Sequence, residues 1–241
     1  MIEINPHKDK KLAVLIDPDK ADDRFLNQII DISKNFPPDC FLVGGSLLVN
    51  DRFEFVIQFL KEKTSIPVYI FPGNMMQTSP KADGILLLSL ISGRNAEFLI
   101  GQHVLAAPKL KRDNINIIPT GYILVGGTAQ TSVEYMSQTA PIPNNKNDIA
   151  SATALAGEML GMKMIYLEAG SGAENSLKKE MISAVKNTIS IPLIVGGGIK
   201  NAHDACEIFQ AGAKWIVVGT AIEKNPDTIK EFYNLSNNIK I

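Results

Sequence analysis

The first residue that could do chemistry is a carboxylate at the end of an apolar run. In YLEAGSG (166–172), the run KMIYL leads into Glu168, and Gly170 and Gly172 then bracket Ser171. A buried carboxylate costs free energy unless it is solvated or paired. Leu167 aside, the residues beside Glu168 are small, beginning with Ala169. The carboxylate could therefore face an open site, hold a polyol by hydrogen bonds, or take a proton as general base. A structural salt bridge would satisfy the same residue equally well. Tyr166 lies two positions earlier and shares its face on an alternating strand. Its hydroxyl could contact the same ligand, or its ring could simply fill core.

Two later segments, IVGGGIKN and VVGTAIE, end apolar runs with glycine in a similar way. Glycine lets a backbone approach closely and turn its N–H groups toward an anion. Helices follow both segments, and helix amino ends favour negative charge. Gly197, Gly198, Gly219 and Thr220 thus read as a phosphate grip, against the plainer reading that they make tight turns. Near the amino end, LIDPDK places Asp17 at the end of a strand, and GGSLL places Ser46 at the end of the next. A carboxylate and a hydroxyl on adjacent strands could hold Mg²⁺, with water and phosphate oxygens completing the shell. An aspartate that opens a loop is equally a turn or cap residue.

Some chemistries lack their parts. No candidate strand carries lysine near its carboxyl end, which argues against a Schiff base. His7, His103 and His203 lie at the amino end or on presumed surface helices, so neither a histidine metal cluster nor a Ser-His-Asp triad assembles.

These residues must be positioned by repeated strand–helix units. Eight apolar runs read as strands: 12–17, 40–45, 67–71, 84–89, 117–125, 164–169, 192–198 and 215–220. Their near-continuous apolarity suits parallel strands covered on both sides, and eight is the number that closes a (β/α)8 barrel. Helical periodicity appears over 22–34, 51–63, 148–160, 177–188, 202–211 and 226–235. Asn225-Pro226 reads as a cap with proline at the first helical position. One unit is defective. The segment PGNMMQTSPKAD (72–83) has two prolines and a glycine, and no room for a full crossover helix. The third helix is therefore expected to be missing or reduced. Met75 and Met76 would lie beside the slot, facing a ligand or forming a plain surface loop. The long polar stretch 126–147 would leave the fifth strand at the carboxyl end, where barrel sites are built.

Composition limits the function classes. The 241 residues suit one α/β barrel domain over 1–241, and 45% hydrophobic residues suffice for its core. A net charge of -1, without a basic run, argues against a nucleic-acid partner and against a polybasic membrane patch. Cys40 and Cys206 form no Cys-x-x-Cys motif and read as free thiols in a reducing, cytoplasmic setting. No apolar run is long enough to span a bilayer, so a lipid-like substrate would have to come to the protein, by transient membrane contact.

Taken together and in order, LIDPDK, VGGSLL, PTGYILV, YLEAGSGA, IPLIVGGGIKN and VVGTAIE resemble the geranylgeranylglyceryl phosphate synthase family, with bacterial heptaprenylglyceryl phosphate synthases as close relatives. The resemblance runs from the first strand to the last. It implies a modified TIM barrel lacking its third helix. The implied activity is Mg²⁺-dependent ether formation between the C3 hydroxyl of sn-glycerol 1-phosphate and a prenyl chain, most simply geranylgeranyl, with release of diphosphate, in ether phospholipid synthesis. It implies metal contacts at Asp17 and Ser46. Glycerol-phosphate contacts are implied along Tyr166, Leu167, Glu168, Ala169, Gly170, Ser171 and Gly172, and at Gly197, Gly198, Gly219 and Thr220. It also implies a homo-oligomer, dimer or hexamer. Relatives that carry lysine two residues before the metal aspartate have Leu15 here, which aligns this chain with the branch that has YLEAGSG. Phe71, Met75, Met76 and Tyr122 are the candidates to line the prenyl channel. A phosphosugar isomerase or lyase on the same barrel, and a non-catalytic phosphate-binding protein, are the rival readings.

Overall fold

The computed structural model describes residues 9–126, 131–170, 173 and 175–238. Eight parallel strands close into a barrel: β1 (Lys11–Ile16), β2 (Cys40–Val43), β3 (Val68–Ile70), β4 (Gly84–Leu90), β5 (Ile117–Gly126), β7 (Met164–Glu168), β8 (Leu193–Gly196) and β9 (Trp215–Val218). Each pairs with its neighbours, and β1 closes the ring on β9. All eight expected strands are present. A ninth, β6 (Ile142–Pro143), is only two residues long and pairs with the end of β5, outside the ring.

Strand alternation divides the apolar residues into two layers. Outward residues such as Val14, Phe41, Ile165, Leu167 and Ile216 pack beneath the helices. Inward residues such as Leu42, Tyr122, Met164, Tyr166, Ile194 and Trp215 fill the barrel. The outer helices form where capping and periodicity agree. In α1 (Asp23–Ser33), Asp22 caps the first turn by accepting the Phe25 N–H at 2.7 Å, and Leu26, Ile29 and Ile30 face the barrel. Each such buried side chain contributes about 2 kcal/mol. In α7 (Ala202–Gln210), Asn201 caps by accepting from Asp204 N at 3.0 Å. Helices α2 (Phe53–Lys63), α5 (Asn147–Met159) and α6 (Lys179–Thr188) fall where expected. Helix α9 (Thr228–Asn238) starts two residues beyond Pro226, while Asn225 Oδ1 still accepts from Asp227 N. A five-residue helix, α8 (Thr220–Lys224), follows β9 directly.

The defective unit is confirmed. Residues 71–83 join β3 to β4 without a helix. This segment is not slack, because buried Gln77 fastens it to the loop after β2. The Gln77 amide oxygen accepts from Gly73 N at 3.1 Å and Gly45 N at 3.4 Å, and its nitrogen donates to Gly45 O at 2.8 Å. The two loops touch backbone to backbone, so a Cβ on Gly73 would overlap the Gly45 carbonyl. The vacated side is flanked instead by a π-helical turn (Glu97–Gly101) leading into α3 (Gln102–Arg112).

Gln77→Leu conserves the bulk but leaves two half-buried N–H groups and a carbonyl without their buried partner. It is expected to lower the unfolding free energy by about 2 kcal/mol or more. Urea unfolding of the variant beside wild type measures this directly.

Candidate active site

Glu168 ends β7 and points into the barrel mouth. It is only 6% exposed. Gly170 N–H donates to its Oε1 at 2.7 Å, and the hydroxyls of Tyr166 and Tyr122 hydrogen-bond the same carboxylate. Register explains the grouping. Tyr122 on β5 is paired with Tyr166 on β7, and Glu168 lies two residues beyond on the same inward face. The two tyrosine rings stack at 5.3 Å, and Phe71 lies 5.2 Å from Tyr166. Desolvation pushes the Glu168 carboxyl up, while the Gly170 amide and the Tyr166 and Tyr122 hydroxyls pull it down. The balance stands at about 7. Burial and the adjacent carboxylate raise both phenols well above their ordinary range, so they stay protonated donors. Glu168 makes no ion pair among the described residues; its partners there are the Gly170 amide and the two phenol hydroxyls.

The glycine rim stands beside this carboxylate. Gly197 and Gly198 follow β8 with φ of 82° and 67°. A Cβ on Gly197 would strike Glu168 Oε1, and a Cβ on Gly196 would strike the Tyr166 hydroxyl. These glycines therefore make room for the acid and the phenol as well as turning the chain. Gly197, Gly198, Gly219 and Thr220 all line one cleft of about 1210 Å³, together with Tyr166, Glu168, Asp17 and Ser46. The rest of YLEAGSG divides. Leu167 has no exposure and packs in the outer layer, because alternation turns it away from the cleft. Its side chain is not a ligand contact. Ala169 is likewise packed outward, with its N–H donated to Gly196 O at 3.0 Å. The Gly170 amide is committed to Glu168. Ser171 and Gly172 lie outside the described residues.

Across the cleft, Asp17 Oδ1 accepts from Asp19 N at 3.1 Å, and Oδ2 lies 3.2 Å from Lys20 Nζ. Asp17 thus does organise its turn, as the cap reading held. The Gly45–Ser46 loop is its neighbour: a Cβ on Gly45 would sit 3.4 Å from Asp17 Oδ1. Asp17 and Ser46 offer oxygen donors only, which is the donor type Mg²⁺ accepts. One carboxylate suffices where water and substrate phosphate complete the octahedron. Among the described residues no three His, Cys, Asp or Glu side chains cluster as a self-sufficient metal site.

The slot left by the missing helix is an apolar channel of about 120 Å³. Ile85, Leu87, Leu88 and Leu90 of β4, Ala106 and Leu110 of α3, and Phe98 wall it. Phe71, Met75 and Tyr122 line it as expected. Met76 does not. It is 82% exposed, because Met75 N is tied to Gln102 Oε1 and Met76 N to Asn74 Oδ1, leaving its side chain outside. His103 is also not a plain surface residue. It is half-buried, lines the channel and bonds Leu88 O through Nε2 at 2.8 Å. The long 126–147 segment closes over both spaces with α4 (Ser132–Ser137), whose cap Thr131 accepts from Glu134 N. Residues 127–130 of that segment lie outside the described residues. Cleft and channel share Gly45, Ser46, Phe71, Tyr122, Val133 and Met136, so they meet at the aromatic rings beneath Glu168.

An acid, a glycine rim and an apolar channel thus meet at one end of the barrel. Residues 5–235 match the PcrB family. The chain belongs to the PcrB family. Among related proteins, geranylgeranylglyceryl phosphate synthase of Spirosoma linguale is 49% identical over 222 residues, covering 92% of this chain and 89% of that protein. The enzyme of the same name from Methanosphaera stadtmanae is 40% identical over 95% of this chain and 94% of its own length. Among solved structures, (S)-3-O-geranylgeranylglyceryl phosphate synthase of Thermoplasma acidophilum, in complex with its substrate sn-glycerol-1-phosphate, superposes with a TM-score of 0.89. It is 31% identical and covers 95% of this chain and 94% of its own. The modified TIM barrel read from the sequence is therefore the fold of this PcrB family member.

The raised Glu168 carboxyl has a thermodynamic consequence. The folded protein holds this proton up to about pH 7, whereas the unfolded chain releases it near the ordinary 4.5. Folding then binds the proton, so stability falls as pH rises between those values, and the full cost is present above 7. Glu168→Gln removes this term. The variant is expected to gain on wild type from pH 5 to pH 8, by up to about 3 kcal/mol. Urea midpoints for both proteins at the two pH values check it.

Proposed function

We propose that this PcrB family member joins the C3 hydroxyl of sn-glycerol 1-phosphate to a prenyl chain, most simply geranylgeranyl, taken from its diphosphate. The chain is an enzyme, as its relatives of up to 49% identity are. The observation that carries the reading is the meeting of cleft and channel at Glu168. A polar monoester and a long apolar chain need different surroundings, and the site supplies both at one carboxylate. A phosphosugar isomerase would have no use for the channel.

Each residue has a definite task. The phosphate sits against the amides of Gly197, Gly198, Gly219 and Thr220, where backbone dipoles replace its water. Tyr166 and Tyr122 hold Glu168 toward the cleft, and Glu168 receives the hydroxyl proton as that oxygen attacks the allylic carbon. The C–O ether bond forms, the bond from carbon to diphosphate breaks, and the proton rests on Glu168. The channel fixes the chain so that hydroxyl and carbon meet in one orientation. Asp17 and Ser46 would hold Mg²⁺, which when bound neutralises charge gathering on the departing diphosphate. The prenyl diphosphate is the lipid-like partner, and among the described residues no helix is long and apolar enough to cross a membrane.

Incubation with sn-glycerol 1-phosphate, Mg²⁺ and a series of prenyl diphosphates tests the reading, with ether product and released diphosphate as readouts. Absence of ether product with every donor contradicts it. Glu168→Gln is expected to lower kcat by about 10²-fold or more while KM for the glycerol phosphate changes little. Equal loss in both would make Glu168 a binding residue only. Since the base acts unprotonated, wild-type turnover is expected to rise as pH passes through about 7, and this limb disappears in the variant. Ala106→Trp fills the channel between α3 and β4. It is expected to depress turnover with long donors by more than about tenfold and to spare short ones, because buried bulk cannot be accommodated without strain. Product yields across donor lengths measure the difference.

A further inference from the structure

Three lysines line the cleft, and one of them is held in an unusual way. Lys20 Nζ lies 3.2 Å from Asp17 Oδ2 and 3.2 Å from Glu223 Oε2. Its own side chain is 54% exposed, whereas the two acids are 22% and 19% exposed. The ammonium therefore reaches in from an open position to two sheltered carboxylates. Glu223 lies in α8, the short helix whose first residue, Thr220, belongs to the phosphate rim. Lys20 is fixed by the Asp17 turn, its N–H bonding Asp17 O at 3.1 Å. It thus spans the gap between the metal carboxylate and the phosphate side.

We propose that Lys20 is the side chain that grips the diphosphate of the prenyl donor, and that Asp17 and Glu223 hold it in reserve. The inference rests on the function proposed above. A divalent cation at Asp17 would compete with the ammonium for the carboxylate and repel it at such short range. A cation arriving at Asp17 displaces Lys20 from one of its two partners. Glu223 keeps the ammonium in the cleft, and an ammonium has three donors to distribute. The donors freed from Asp17 then turn to phosphate oxygens, for which a compact point charge is well suited. Metal and diphosphate are thereby coupled: each strengthens binding of the other through the release of one side chain. Glu223 tunes this coupling without touching either ligand, which makes it a positioning residue.

The test is calorimetric binding of inorganic pyrophosphate, with and without Mg²⁺, and of sn-glycerol 1-phosphate alone. Wild type is expected to bind pyrophosphate more tightly when Mg²⁺ is present. Lys20→Met is expected to weaken binding of pyrophosphate with Mg²⁺ by about tenfold, the loss of one charge-assisted hydrogen bond. The same variant should hold glycerol phosphate within about twofold of wild type, since the glycine amides are untouched. Glu223→Gln, which removes one competitor for the ammonium, is expected to strengthen pyrophosphate binding without Mg²⁺. Unchanged pyrophosphate affinity in Lys20→Met overturns the assignment of Lys20, as does equal weakening of both ligands. A wild type that binds glycerol phosphate but no pyrophosphate under any condition overturns the proposed function, and this inference with it. Lys20 is on the surface of the cleft, so the variant is expected to fold, and an unchanged urea midpoint verifies that.

Discussion

The site depends on a buried carboxylate that, among the described residues, has neutral donors and no cation beside it. Glu168 has given up most of its hydration and receives in return one backbone N–H and two phenol hydroxyls. Hydrogen bonds of this kind favour the charged form but do not match the solvent that was lost. The balance leaves the acid able to exchange a proton near neutrality. A salt-bridged glutamate would stay ionised far below that range and make a poor proton acceptor. A glutamate without donors would stay protonated and accept nothing. The two tyrosines and the Gly170 amide therefore set the chemistry, although none of them needs to react.

This arrangement places demands on the surrounding fold. Alternation along β5 and β7 must turn Tyr122, Tyr166 and Glu168 to the same side, with Leu167 on the other. The strand next to β7 must have no side chain where the phenol and acid project, which Gly196 and Gly197 satisfy. The helix normally found after β3 must be absent, so that the aromatic rings beneath the acid meet an apolar channel. Loss of that helix removes its packing against β3 and β4. Gln77 compensates by fastening the bare loop to its neighbour, and α3 with its π-helical entry covers the far side. Function and stability thus meet in a single missing helix.

Much of this was legible in the residues. The eight strands could be read because parallel barrel strands are apolar on both faces, which produces unmistakable runs. The missing helix could be read because 72–83 is too short and too rich in proline to hold one. The glycine rim of the cleft could be read because glycines recur at successive strand ends. What could not be read depends on side chains meeting across space. Tyr122 was legible as a channel residue, but its bond to Glu168 follows from strand register, not from spacing in the chain. The helix over 102–112 shows no apolar stripe, because Val104 and Leu105 are exposed and Pro108 interrupts it. Met76 looks identical to Met75 in sequence, and only the loop hydrogen bonds separate them. His103 looks like any helix histidine until α3 is seen to wall the channel. Lys20, three residues past Asp17, has its significance from Glu223, two hundred residues away.

The most direct measurement of the central claim is the titration of Glu168 itself. Carboxyl carbon chemical shifts, followed by NMR in protein labelled at glutamate and assigned with Glu168→Gln, report its protonation without any substrate. A midpoint near 7 is the result expected of a desolvated acid held by neutral donors. A midpoint in the ordinary carboxylate range, about 4 to 5, would contradict the account, because the acid would then be solvated or ion-paired and the tyrosines would not be setting its chemistry.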